Sequence, residues 1–185
     1  MTDRAASPAD GIAIGRSGLR ALRASLLSHS PDQALTILQE TGYASGADVY
    51  QAFCTWLPAA TGFRTPDQIE ATKLGAVLSR FFQAAGWGSL GITSLGGGTL
   101  ALDSPDWVEA EPATAEQPMC FLSAGLLADF FGRLSGEAVG VMEVECRSRN
   151  DERCRFLTAA PERLQEVYEA MTQGKTYEAA LGLTG

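Results

Sequence analysis

Apolar and polar positions along this chain change period several times, and each change marks an element. The first ten residues, Met1 to Asp10, form an Ala/Ser/Asp-rich stretch that reads as a flexible tail. From Ile12 onward the pattern is periodic. Ser30-Pro31-Asp32 opens a helix, with Pro31 near its first position and Ala34, Leu35, Ile37 and Leu38 following; Gly42 is its expected stop. A second helix is predicted from Ser45 to Leu57, carrying Val49, Phe53 and Trp56 and ended by Pro58. Thr65-Pro66-Asp67 starts a third, whose stripe of Ile69, Leu74, Val77, Leu78, Phe81 and Phe82 runs up to Gly86.

Between Trp87 and Glu109 the chain turns to Gly, Thr, Val and Leu, which predicts two short strands joined at Gly96-Gly97-Gly98. Asp103-Ser104-Pro105 reads as a turn before an extended piece through Trp107 and Val108, and Glu111 to Gln117 as a polar linker. Pro118 opens a helix apolar over a broad face (Phe121, Leu122, Leu126, Leu127, Phe130, Phe131, Leu134), so it should be buried; Ser135-Gly136 ends it. Val139 to Glu145 alternates as a strand, Arg147 to Arg153 is a polar turn, and Arg155 to Thr158 is the return strand. Pro161 begins a last helix, with Leu164, Val167, Tyr168 and Met171 inward and Gly174 as its stop. Helices, hairpin, helix, hairpin, helix is the order of an α+β domain, an antiparallel sheet packed with helices. One domain over residues 11–185 is expected behind a tail of residues 1–10.

Composition narrows the function classes. A chain of 185 residues with 45% hydrophobic and 19% charged residues can bury a real core. A net charge of −8 argues against nucleic-acid and anionic-membrane partners. No apolar run approaches a membrane span, and the start has no secretory apolar core, so a cytoplasmic location is expected. There thiols stay reduced, and four cysteines read better as ligands or core groups than as disulfides.

Three of those cysteines cluster late in the chain. Cys146 and Cys154 flank the seven-residue polar turn, which can fold them together. Cys120 sits at a helix start, where the partial positive charge of the helix end favours thiolate. Glu143 lies three residues before Cys146 on the same strand. Three thiolates and a carboxylate make the four ligands of a closed, structural zinc site. Spacing alone leaves alternatives open. Seven residues between cysteines is not a standard zinc knuckle, buried thiols also serve as plain core groups, and Glu145 competes with Glu143 as fourth ligand. Cys54, on an apolar helix, reads as such a core group.

Other signals are weaker. Gly86-Trp87-Gly88-Ser89-Leu90-Gly91 has dinucleotide-loop spacing but follows a helix and opens strands, the reverse of what that loop needs. Large groups beside small ones leave room for an apolar ligand pocket; the candidates are Phe81, Trp87, Phe121, Ala124 and Val141. Arg16, Arg20 and Arg23 line one helix face that reads as solvated. No catalytic residue is assigned: no nucleophile motif is present, and the one His, His29, is expected to be exposed.

The run Cys120, Gly125, Val141-Met142-Glu143-Val144-Glu145-Cys146 and Cys154-Arg155-Phe156, with Ala34 to Gly46 and Gly174 to Leu181, resembles the V4R (4-vinyl reductase) domain over roughly Ile12 to Leu183. In phenol-responsive bacterial regulators that domain holds zinc through three Cys and one Glu. The resemblance implies Cys120, Glu143, Cys146 and Cys154 as metal ligands and decides for Glu143. It also implies the fold of Bet3-type TRAPP subunits, the ligand-binding domain of NO-signalling and Golgi-transport type, usually dimeric and enclosing an apolar cavity. The phenol sensors use a pocket His, which His29 does not match. With no ATPase or helix-turn-helix segment in the sequence, the expectation is a stand-alone sensory domain. It would bind a small hydrophobic or aromatic ligand, form a homodimer and signal to a protein partner. The alternatives are a tetrapyrrole-handling protein or accessory of 8-vinyl reduction in chlorophyll synthesis, and a TRAPP-like assembly subunit; an enzymatic role stays undecided.

Overall fold

The computed structural model describes residues 14–183; the expected tail, the first residues of the expected domain and the last two residues lie outside them. Among the described residues, six α-helices surround one four-stranded antiparallel sheet: α1 (Arg16–His29), α2 (Pro31–Thr61), α3 (Ala71–Ala84), β1 (Gly91–Gly96), β2 (Thr99–Ser104), α4 (Phe121–Ser135), β3 (Gly140–Glu145), β4 (Cys154–Ala159), α5 (Pro161–Thr172) and α6 (Tyr177–Leu181). The sheet order is β1-β2-β4-β3, so two hairpins join edge to edge through β2 and β4.

Alternation along the strands splits the interior. Leu102, Val141, Cys154 and Phe156 face a large aromatic core with α2, α3 and α4. Met142, Val144, Leu157 and Ala159 face a smaller one closed by Leu164 and Val167 of α5 and Tyr177 of α6. The result is three layers, helices on both faces of a sheet. No described helix is long and apolar enough to cross a membrane.

The two helices expected before and after Gly42 are one helix of 31 residues. Gly42 and Gly46 do not end it; they thin it where it crosses α4. A Cβ on Gly42 would lie 1.9 Å from the Leu122 carbonyl oxygen, and one on Gly125 of α4 would lie 1.9 Å from that of Gln39. Glycine is required by this backbone approach, not by a turn. Pro58 falls within the final turn of α2, which continues to Thr61 before Gly62 closes it with a positive φ. Other boundaries shift for local reasons. Pro66–Gln68 forms only a 3-10 turn, and Ile69 and Glu70 are extended before α3 begins at Ala71. Trp107 is irregular and Val108 opens a turn with Glu109, so neither is in a strand; the Val108 N–H donates to the Trp87 carbonyl at 2.8 Å. Tyr168 points outward, and α6 is an added element held by the Thr176 side chain, which accepts from the Ala179 N–H.

A candidate metal centre between helix α4 and the second hairpin

Cys120 is the N-cap of α4, whose first residue, Phe121, lies three residues after the start expected at Pro118. Two carboxylates hold this helix end. Glu143 Oε2 accepts from the Cys120 N–H at 2.9 Å. Glu109, buried to 3% exposure, accepts from the Leu122 N–H at 3.2 Å and the Ser123 N–H at 2.8 Å. Together they satisfy donors that a helix start leaves unpaired.

The other three donors come from the hairpin. On a regular strand Glu143 and Cys146, three apart, would face opposite sides. The register shifts between Glu143 and Glu145, so Val144 and Glu145 both turn toward α5 and α6. That bulge returns Cys146 to the face of Glu143. It also separates the two glutamates in space: Glu145 pairs with Arg153 at 2.9 Å and accepts from Tyr177 on the far face. Beyond Cys146 a 3-10 turn, Arg147–Arg149, and Asn150 with φ +74° reverse the chain. Asp151 accepts from the Cys146 N–H at 2.7 Å, and Cys154 then opens β4.

The donor atoms of Cys120, Glu143, Cys146 and Cys154 all lie within 4.8 Å of one another, and the four cysteines of the chain are free thiols. Tetrahedral zinc with Zn–S bonds of about 2.3 Å separates its sulfurs by about 3.8 Å. Cys120 Sγ and Cys146 Sγ stand 3.8 Å apart. Glu143 Oε1 is buried and has no hydrogen-bond partner, whereas its other oxygen has one. A buried carboxylate oxygen left unpaired is costly, and a cation would satisfy it. The cluster can therefore hold a metal ion, and its soft donors suit zinc.

The four groups of the cluster are shifted in different directions. Burial pushes the Cys120 thiol well above its usual range, and donating to Cys146 and Cys154 adds to that. The helix end does not outweigh desolvation there. Cys146 shifts the other way. Hydrogen bonds from Cys120 and Cys154, and further ones from the Met119 N–H and the Ser148 hydroxyl, pull it far down. Cys154 is raised: Cys120 lowers it, but donation to Cys146 and burial win. Burial, with the Cys146 charge beside it, pushes the Glu143 carboxyl up to about 8. A bound cation would displace these protons.

The V4R domain family model matches residues 106–159, the segment that contains all four donors. That segment, under a third of the chain, is similar to the V4R domain. Comparison with curated proteins finds no significant match. Among solved structures, the phenol-responsive sensory domain of the transcription activator PoxR with phenol matches with a TM-score of 0.57 and 18% identity, over 82% of this chain and 77% of that one. A trafficking protein particle complex subunit 3 from Naegleria fowleri, covalently bound to palmitic acid, matches with a TM-score of 0.58 and 13% identity, over 78% of this chain and 91% of that one. At such identities the likeness establishes a shared fold, the V4R/TRAPP-like one expected.

The remaining expected site residues are placed less simply. The Phe81 ring lies 5.2 Å from Phe53, 5.3 Å from Phe82 and 6.1 Å from Phe130, sunk in the aromatic core. Ala124 and Val141 are buried in the same cluster, against which half-buried Trp87 packs; Phe121 is half-buried. None of the five lines the open groove of about 510 Å³ between the C-terminal half of α4 and the start of α5, bordered by Tyr43, Asp129, Arg133, Val139 and Pro161. His29 is exposed, as expected, and Cys54 is half-buried. Arg23 departs from the solvated face expected of it: it is buried and its Nη1 donates to the Glu109 carbonyl at 2.8 Å. Sequence spacing marked Arg23 but gave no sign of Glu109, whose partners are 13 and 14 residues away in the helix it caps.

Proposed function

We propose that this V4R-like domain is a small-molecule sensory module whose C-terminal half is pinned by a structural zinc. The observation that carries the metal is the unpaired, buried Glu143 Oε1 among three cysteine sulfurs. Four protein ligands leave no open position, so the ion would staple α4 to the second hairpin and would not catalyse. Sensing is supported by the fold shared with a sensory domain that binds phenol. The ligand would be small and hydrophobic or aromatic. It would lodge where half-buried Trp87 packs on the cluster containing Phe81, Ala124 and Val141, and Phe121, the first residue of α4, is the remaining candidate. A homodimer in the cytoplasm, reporting to a protein partner, completes this reading.

A second reading has its own observation. The interior is densely filled by aromatic rings, with Phe53, Phe81, Phe82, Phe130 and Trp107 all fully buried. Ile14, Leu22, Leu35 and Tyr43 meanwhile stand exposed. Exposed apolar groups suit a subunit of a larger assembly, as the trafficking complex subunit of the same fold is. Mass spectrometry under native conditions, on protein purified without added ligand, separates the two. A co-purifying lipid or aromatic supports the sensor, a pigment supports tetrapyrrole handling, and a ligand-free chain found only in hetero-complexes refutes the sensor. Elemental analysis of the same sample should give about one zinc per chain; a small fraction of that, without chelator exposure, refutes the metal.

A further inference from the structure

Helix α1 has a single buried residue, and it is an arginine. Arg23 reaches past the helix to the segment 109–111, where Nη1 donates to the Glu109 carbonyl at 2.8 Å and Nη2 lies 3.8 Å from the Glu111 carboxylate. That segment is a strap between the two halves of the donor cluster. Toward α4, the Glu109 carboxylate grips the N–H groups of Leu122 and Ser123 and the Ser123 hydroxyl, and so orients the helix end whose cap is Cys120. Toward the hairpin, the Glu111 N–H donates to Ser148 Oγ at 3.0 Å. The Ala113 N–H donates to the Arg147 carbonyl at 3.2 Å, and the Thr114 and Ala115 N–H groups both donate to the Ser148 carbonyl at 2.9 Å. Ser148, fully buried, lies in the turn between Cys146 and Cys154.

We propose that Arg23 and Glu109 are positioning residues of the metal centre, and that docking of α1 and retention of the metal are coupled through this strap. The proposal rests on the reading that the cluster holds zinc. Arg23 fixes the strap, the strap fixes the spacing between the α4 cap and the hairpin turn, and that spacing is what a tetrahedral ion needs. Coupling between two equilibria is reciprocal, so the ion in turn holds α1 in place. A centre that only stapled α4 to the hairpin would leave α1 indifferent to it.

The test uses the full chain as purified with zinc. Release of zinc to a chromogenic chelator is timed for wild type, Arg23→Met and Arg20→Ala, with hydrogen exchange followed at the amides of α1 and α3. Arg20 makes an exposed contact with Glu111 at 3.4 Å and serves as the control. Arg23→Met should release zinc at least about tenfold faster, with faster exchange in α1, whereas Arg20→Ala should stay within about twofold of wild type. In wild type, chelation should speed exchange in α1 more than in α3; this arm needs no variant and decides the matter if Arg23→Met does not fold. Faster α1 exchange in Arg23→Met with zinc release unchanged would overturn the coupling, as would chelation that moves α1 only in step with α3. Wild-type protein purified without zinc would overturn the metal reading itself and the proposal with it.

Discussion

Replacing Gly125 by alanine tests whether the α2–α4 crossing governs stability. The new Cβ would sit 1.9 Å from the Gln39 carbonyl oxygen and 2.8 Å from the Tyr43 nitrogen. Both are backbone atoms of α2, so no side chain can rotate away and the helices must part by roughly 1 Å in an interior packed like a crystal. Overpacking of this kind costs typically about 1–3 kcal/mol, and the rigid neighbours place it at or above the upper end. Against that, alanine in a helix gains about 1 kcal/mol over glycine. The balance is a loss of about 2 kcal/mol, which for a chain of this size lowers Tm by roughly 4–8 °C. Gly75 in α3 is the matched comparison. Its Cβ would meet nothing closer than 3.7 Å, so Gly75→Ala should gain about 0.5–1 kcal/mol from propensity alone. Thermal and urea unfolding followed by circular dichroism read both. If Gly125→Ala proved as stable as wild type while Gly75→Ala was stabilised, the close crossing would not be what glycine is there for.

Three further outcomes follow from the geometry. Cys154→Ala should abolish zinc in elemental analysis and lower Tm by more than about 10 °C, because metal-binding energy is folding energy; Cys54→Ala, at a half-buried position, should cost only about 1 kcal/mol and keep the zinc. Burial and donation to Glu145 raise the Tyr177 hydroxyl to about 12. An acid raised on folding gives stability that is full below its unfolded pKa of about 10 and is lost as pH rises through the folded value. Stability should thus fall between about pH 10 and 12, with a shallower slope in Tyr177→Phe, measured by urea unfolding across that range; equal slopes would rule the contribution out. Asp103 receives both arms of the Arg155 guanidinium at 2.7 Å, and Asp103→Asn should cost about 1–2 kcal/mol, a loss that shrinks in high salt when unfolding is repeated there.

What could be read from the chain was whatever its local pattern controls. The hairpin around Gly96 to Gly98, the apolar helix ending at Gly136 and the strands on either side of the polar turn follow from period and turn chemistry, and the structure has them. Gly42 was misread because a glycine that ends a helix and one that lets a second helix approach look alike in sequence; only α4, some 80 residues away, tells them apart. Arg23 was misread for the same reason, since its partner is a backbone carbonyl in a segment that propensity marks only as a linker. The four donors were legible as residue types. Spacing left Glu143 and Glu145 both open, because the bulge that puts them on opposite faces is one that no alternation rule foresees.

That bulge has a wider meaning. Strand residues obey a parity rule, and a single extra residue breaks it once, for everything downstream. Here the break delivers Cys146 to one side of the sheet and leaves Glu145 with Arg153, Arg155 and Tyr177 on the other. One backbone irregularity therefore serves two sites that never touch. A change that straightened the strand to improve packing beneath α6 would take a donor from the cluster on the opposite face. The sheet acts here as a common mount, on which neither side can be re-tooled alone.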